Sequence, residues 1–98
     1  MNQTIASKIA GYFATKPVVR AYIFGSYARG DNTPGSDIDI LVTFDKEACV
    51  SLFDHVGMTY ELEDILGMEV DLVTEGTLLP MAAKSAEHDK ILVYERAS

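Results

Sequence analysis

The residues best suited to chemistry are three aspartates, two of which lie close together in the sequence. Asp37 and Asp39 are separated by one residue, so in a β-strand their side chains point to the same face, with backbones about 6.5–7 Å apart. Two like charges on one face repel each other unless a cation lies between them. Asp71, in another apolar segment, can add a third carboxylate. We therefore predict that Asp37, Asp39 and Asp71 form a catalytic, metal-binding group.

Magnesium is the cation that suits such a group. It prefers oxygen ligands, keeps several waters, and is usually bound by one or two carboxylates together with substrate phosphates. Two ions about 3.5–4 Å apart can activate an attacking oxygen and stabilise a leaving pyrophosphate. The three aspartates thus predict two Mg²⁺ ions and phosphoryl or nucleotidyl transfer. Taken alone, an Asp-x-Asp pair is also typical of a solvated sheet surface.

A glycine and a serine precede this aspartate pair, at the end of another apolar segment. Glycine lets a backbone approach phosphate oxygens closely, and a serine hydroxyl can bind them. A helical turn after Gly25 and Ser26 would also aim its free N–H groups at a phosphate. Arg29 lies in the same turn, where it braces the loop or neutralises phosphate charge. We predict Gly25, Ser26 and Arg29 as nucleotide-binding residues; a plain strand-to-helix turn with Ser26 as N-cap is the alternative.

The elements that carry these residues are predicted from the spacing of apolar residues. Helical spacing occurs over 5–13 and 49–66, the second ending at Gly67, and a further helix is predicted over 77–87. Strands are predicted over 18–24, 37–44, 68–73 and 91–94, the last at an edge. The apolar side of the helix over 49–66 is expected to cover the sheet, with Cys49 as a core filler. An α/β or α+β domain with a small mixed sheet of about four strands follows, spanning residues 1–98.

The composition limits the class of protein. With 98 residues and 48% hydrophobic content, the chain is expected to form one globular domain. Its net charge of −7 argues against direct binding to nucleic acid and favours a basic protein partner. A single cysteine, the lack of a basic leader and the lack of a long apolar run predict a cytoplasmic protein without a membrane segment. His55 and His88 lack metal-ligand spacing.

The order Gly25-Ser26, ten intervening residues, then Asp37-Ile38-Asp39 resembles the motif of the DNA polymerase β-like nucleotidyltransferase superfamily. The fuller string GSYARGDNTPGSDIDILV is similar to the minimal nucleotidyltransferases (MNT), the antitoxins paired with HEPN-domain ribonuclease toxins. The resemblance implies a nucleotidyltransferase fold, with Gly25 and Ser26 handling the triphosphate and the aspartate pair binding metal. Asp71, in EVDLV, matches the third carboxylate, for which a role as general base is implied. Glu69 is the other candidate on that face.

The same resemblance implies an antitoxin that transfers AMP from ATP to a tyrosine of its HEPN partner and forms a heteromeric complex with it. Because little sequence remains beyond the predicted sheet, we expect the acceptor to come from another protein. Two other functions remain open. One is an antitoxin that only binds and occludes its toxin, and the other is a small-molecule nucleotidyltransferase with a pocket shared across a homodimer. The three intact aspartates favour the enzymatic antitoxin.

Overall fold

The computed structural model describes residues 3–74 and 90–96, which form a mixed sheet with helices packed on it. In chain order the elements are α1 (Gln3–Phe13), β1 (Val18–Phe24), α2 (Ser26–Arg29), β2 (Ile38–Phe44), α3 (Leu52–Leu66), β3 (Val70–Thr74) and β4 (Ile91–Glu95). The predicted helix over 77–87 lies outside the described residues. None of the described helices is long and apolar enough to cross a membrane.

The sheet has the order β3-β2-β1-β4. β1 pairs antiparallel with β2 on one side and with β4 on the other, whereas β2 and β3 are parallel. A parallel pair needs a crossover connection, and α3 supplies it. β4 is an edge strand of this sheet, as predicted. An ion pair of 2.8 Å between Arg96 and Asp45 joins the end of β4 to the end of β2. The predicted mixed four-stranded sheet is therefore confirmed.

One face of the sheet forms the hydrophobic core. On β2, Ile38, Ile40 and Val42 are fully buried, because alternate residues of a strand share a face. They pack in one cluster with side chains of the other strands, of α1 and of α3. α1 contributes Ile9 and Phe13 to this cluster and ends before Pro17, as its apolar spacing predicted. Asp39, between Ile38 and Ile40, therefore faces away from this cluster, on the same side of the strand as Leu41, which is also buried.

α3 has clear signals at both of its ends. Ser51 caps the helix through a capping box, in which its hydroxyl accepts from the Asp54 N–H and the Asp54 carboxylate accepts from the Ser51 N–H, each at 3.1 Å. Gly67 ends the helix in the left-handed conformation with φ of 69°. The helix therefore begins at Leu52, three residues after the predicted start. Cys49 is exposed outside it, so the prediction of a core cysteine is wrong.

The side of α3 that packs on the sheet also differs from the prediction. Met58 and Leu62 are its buried residues. Five other apolar residues that we expected to cover the sheet are exposed: Leu52, Phe53, Val56, Tyr60 and Ile65. The physical reason is that apolar residues occur on more than one side of this helix, and only one side can pack against a flat sheet. Periodicity located the helix correctly but not its buried side.

Candidate active site

Two carboxylates lie side by side on neighbouring parallel strands. In the register of β2 and β3, Asp39 is the direct partner of Asp71. Neighbouring strands lie about 4.8 Å apart, and directly paired residues share a face of the sheet. That face is the one opposite the core, because Ile38 and Ile40 on either side of Asp39 are fully buried. The fold thus brings together two of the three aspartates that the sequence predicted.

Two further carboxylates stand just before the same strands. Asp37 precedes β2, and Glu69 precedes β3, where its carbonyl accepts from the Ile38 N–H at 3.0 Å. A hydrogen bond to Asp37 raises the pKa of the Glu69 carboxyl above its usual value, and the charge of Asp37 adds to the effect. Glu69, which sequence reasoning gave only as an alternative to Asp71, is therefore a direct neighbour of the predicted site. Asp37, Asp39, Glu69 and Asp71 are called the carboxylate group below.

Asp39 is the member of the group whose electrostatics are most perturbed. Its pKa is raised, first because the carboxyl is partly buried, and then because Asp71 and Asp37 are negatively charged. The positive charge of Arg29 opposes these effects. A cation placed among these side chains would reverse the repulsion, since an opposite charge within about 4–6 Å favours the ionised carboxylate. Asp39 therefore carries a charge repulsion that a bound cation would relieve.

The donor chemistry of this group fits Mg²⁺, which prefers hard oxygen ligands. Across residues 3–74 and 90–96, however, no three His, Cys, Asp or Glu side chains converge on one point at metal-ligand distances. Side chains of the carboxylate group would therefore have to turn toward a bound ion. Asp37, Asp39 and Asp71 stay predicted ligands on the strength of their oxygen donors and shared edge of the sheet.

The glycine at the end of β1 lies directly against this group. Gly25 has φ of 72° and ψ of −149°, a backbone conformation that is essentially limited to glycine. A Cβ atom at this position would overlap the carboxylate of Asp39. The backbone angles therefore favour glycine at position 25, and a side chain there would also displace the Asp39 carboxylate. The predicted phosphate-binding turn and the predicted metal site are adjacent in space.

The turn that follows is the short helix α2. Gly25, not Ser26, occupies the N-cap position, so the alternative reading of Ser26 as N-cap is wrong. Ser26 is the first helical residue, and its carbonyl accepts from the N–H groups of Gly30 and Asp31 at 2.9 and 3.1 Å. Gly30 ends the turn in the left-handed conformation, as its position predicted. Ser26 therefore follows immediately on the backbone segment that touches Asp39.

Arg29 has two roles that the structure separates. Its Nε lies 3.1 Å from the Asp31 carboxylate, in an exposed ion pair that braces the loop. Its positive charge also offsets part of the rise in the pKa of Asp39, so this charge acts on the carboxylate group. The side chain of Tyr27, in the same turn, packs against the hydrophobic core. Ser36 closes the next turn, accepting from the Thr33 N–H at 2.9 Å.

Two hollows among the described residues lie away from the carboxylate group. One, of about 390 Å³, is bordered by Lys16, Pro17 and Phe53, and the other, of about 330 Å³, by Phe44, Leu52 and His55. Both are near the Phe44 end of β2, about 16 Å along the strand from Asp39 at 3.3 Å per residue. His55 is a satisfied histidine, because its Nε2 lies 2.7 Å from the carbonyl of Leu72.

The family model described as a nucleotidyltransferase domain matches residues 6–93. The chain therefore belongs to the nucleotidyltransferase family, as the Gly-Ser and Asp-x-Asp motifs predicted. The prediction of a nucleotidyltransferase enzyme is confirmed with it. A Methanocaldococcus jannaschii protein, provisionally named a protein adenylyltransferase, is 46% identical over 72 residues, which are 72% of this chain and 72% of the relative.

The fold is also shared with solved toxin–antitoxin structures. A crystal structure of a toxin–antitoxin with AMP-PNP matches with a TM-score of 0.79 and 22% identity, covering 93% of this chain and 73% of the matched one. A structure of tri-AMPylated Shewanella oneidensis HEPN toxin in complex with MNT antitoxin matches with a TM-score of 0.73 and 20% identity, covering 98% and 74%. The predicted nucleotidyltransferase fold is confirmed by both.

Proposed function

We propose that this chain is an antitoxin that transfers AMP from ATP to a tyrosine of a HEPN-domain ribonuclease toxin and so neutralises it. The observation that carries the proposal is the contact between Gly25 and Asp39, with Asp71 beside Asp39 on the neighbouring strand. This contact places a backbone suited to phosphates against carboxylates suited to a cation. Nucleotidyl transfer needs both parts, since a triphosphate must be bound and its charge neutralised.

The residues have separate tasks in this reaction. Gly25 lets the backbone come close to the triphosphate, and the Ser26 hydroxyl and Arg29 guanidinium offer donors to phosphate oxygens. Asp37, Asp39 and Asp71 would hold Mg²⁺, which supplies neutralisation of the developing charge on the triphosphate when bound. Asp71, exposed at the edge of the group, would accept the proton of the tyrosine hydroxyl as general base. The tyrosine oxygen then attacks the α-phosphorus, and pyrophosphate leaves.

The relatives support this choice of nucleotide and acceptor. The 46% identical protein carries an adenylyltransferase name, and the two fold neighbours contain AMP-PNP or an AMPylated HEPN toxin. Among the described residues, the two hollows beside α3 lie at the far end of β2 from Asp39, so neither is an acceptor pocket at the carboxylate group.

The direct test is intact-mass spectrometry of a HEPN-domain toxin after incubation with this chain, ATP and Mg²⁺. We expect mass additions equal to one or more AMP groups, located on tyrosine by peptide mapping. The same incubation with an Asp37→Asn, Asp39→Asn double variant should add nothing. If the wild-type chain also adds no mass while forming a tight complex, the proposal of catalysis is wrong and a binding antitoxin replaces it.

A further inference from the structure

The outer side of α3 carries a row of exposed apolar residues that the proposed reaction does not use. Leu52, Phe53, Val56 and Tyr60 are 75, 88, 41 and 67% exposed. They recur at three- and four-residue intervals, so they form one continuous strip on the helix. Met58 and Leu62 face the core instead. The four exposed residues are called the outer stripe below.

The outer stripe is larger than scattered surface hydrophobicity explains. A single aromatic side chain presents on the order of 150–250 Å², and both aromatic members of the stripe are more than half exposed. Contiguous apolar patches of about 300–600 Å² on a protein often mark an interaction site. A standard interface covers about 800 Å² on each partner. The stripe therefore has the size of the apolar centre of a protein interface.

The surface around the stripe is shaped to receive side chains. Phe53 borders the hollow of about 390 Å³, together with Gly57 and Lys16. Leu52, its neighbour, borders the second hollow, of about 330 Å³, together with His55. Each of these two residues therefore borders one of the hollows. Interfaces are built from such buried apolar anchors seated in pockets of the partner surface.

The charge around the stripe indicates what kind of surface covers it. Asp64 lies one helical turn after Tyr60 and is exposed, and Asp54 is exposed one residue after Phe53. Glu61 is adjacent, where it accepts from the Tyr12 hydroxyl at 2.9 Å and its charge is partly balanced by Lys16, whose Nζ lies 4.0 Å away. A second copy of this chain would bring the same acidic border and another net charge of −7. The expected occupant is a different protein with an apolar patch bordered by lysine and arginine.

From these observations we propose that the outer stripe is the docking surface for the HEPN-domain protein. The identity of this partner rests on the proposed function. The stripe lies on the helix-covered side of the sheet, whereas Asp39 and Asp71 face the opposite side. A partner bound to α3 leaves the carboxylate group open, and a segment of that partner reaches around the β3 edge to the site. Docking and chemistry are thus separate contacts, so the stripe governs the KM for the protein acceptor and not the kcat.

The test compares wild type with a Phe53→Ser, Tyr60→Ser variant, using the HEPN-domain protein as binding partner and as AMP acceptor. The matched control is Leu92→Ser, which replaces an apolar residue of β4 that is 47% exposed and outside the stripe. We expect the double variant to raise the Kd and the acceptor KM by roughly tenfold or more, with an unchanged kcat at saturation and unchanged thermal unfolding. Leu92→Ser should change neither constant. Asp64→Lys should weaken binding less, with a difference that shrinks at high salt.

An unchanged Kd and acceptor KM in the double variant would overturn the docking proposal, whatever the outcome for AMP transfer. A wild-type chain that binds its partner without adding AMP would contradict the proposed catalysis, and the docking surface would then be decided by the Kd values alone. A wild-type chain that sediments as a dimer, and becomes a monomer on Phe53→Ser, would assign the stripe to a second copy and also overturn the proposal.

Discussion

The two faces of β2 around Asp39 differ sharply in their chemistry. On one face, Ile38, Ile40 and Val42 are completely buried and join a single core cluster. On the other, Asp39 lies among like charges that raise its pKa. One strand thus supplies residues to the hydrophobic core and to the candidate active site, because its side chains alternate between the two faces of the sheet. Packing of the core face fixes the backbone that carries Asp39 among like charges. Single substitutions on each face test this difference.

The largest effect is expected for Asp39→Asn, which should lower AMP transfer by about three orders of magnitude or more, since several kcal/mol of charge stabilisation by metal is lost. The free energy of unfolding should not decrease. A folded-state pKa above the unfolded value gives stability that is present at acidic pH and lost as pH rises through the folded pKa. Asparagine does not ionise, so the variant does not lose this stability as the pH rises.

The stability part of this prediction is measured by urea unfolding in EDTA between pH 3 and pH 8. We expect Asp39→Asn to be at least as stable as wild type at pH 7, and its stability to fall less as the pH rises. A variant that is clearly less stable than wild type at pH 7 would contradict the assignment of Asp39 to the repelling face.

Ile40→Ala tests the other face of the same strand. Removing a fully buried isoleucine should lower the free energy of unfolding by about 2–5 kcal/mol, because transfer and cavity terms add. AMP transfer measured well below the melting temperature should persist. Leu92→Ala, at a half-exposed position of β4, is the control and should change stability by less than about 1 kcal/mol. Similar losses in the two variants would show that β2 does not anchor the core.

Gly25→Ala tests the contact that joins the two parts of the site. We expect a loss of about 1–3 kcal/mol in stability, because the backbone conformation strongly disfavours a side chain. AMP transfer should fall as well, since the added Cβ displaces the Asp39 carboxylate. Gly11→Ala in α1 is the control, because a Cβ there meets no atom within 4 Å. That control should be neutral or stabilising by up to about 1 kcal/mol.

The smallest effect is expected for Arg29→Gln. Its exposed ion pair with Asp31 should contribute less than about 1 kcal/mol to stability. The informative readout is the pKa of Asp39, followed by NMR titration of its carboxyl carbon in EDTA. Loss of the guanidinium should raise that pKa further, because Arg29 is the charge that lowers it. A pKa that stays the same or falls would place Arg29 outside the electrostatic reach of the site.

The assignment of β2 residues to the two faces of the sheet could largely be predicted from sequence, because side chains alternate strictly along a strand. The range of β1 agrees with the prediction at both ends, and the sidedness of Asp39 follows from its buried neighbours. The pairing of Asp39 with Asp71 could not be derived from periodicity, because strand order and register depend on long-range contacts. The contact of Gly25 with the Asp39 carboxylate was likewise beyond reach, although the glycine itself was identified.

The sidedness of α3 was predicted wrongly for a related reason. A helix with apolar residues on more than one side offers several possible packing faces, and spacing alone does not choose among them. The start of the helix was available in the sequence, because Ser51 followed by Asp54 three residues later is the pattern of a capping box. Applying that rule would have placed Cys49 outside the helix. It would still not have shown that Phe53 faces outward.

The most direct test of catalysis is the remaining ribonuclease activity of the HEPN-domain partner after treatment with this chain, ATP and Mg²⁺, followed by separation of the two proteins. Treatment with wild type should leave the partner inactive after separation, because a covalent AMP group remains. Treatment with Asp39→Asn should leave a partner that recovers full activity once separated, even though the complex had formed. Equal and lasting inhibition by wild type and Asp39→Asn would contradict neutralisation by AMP transfer.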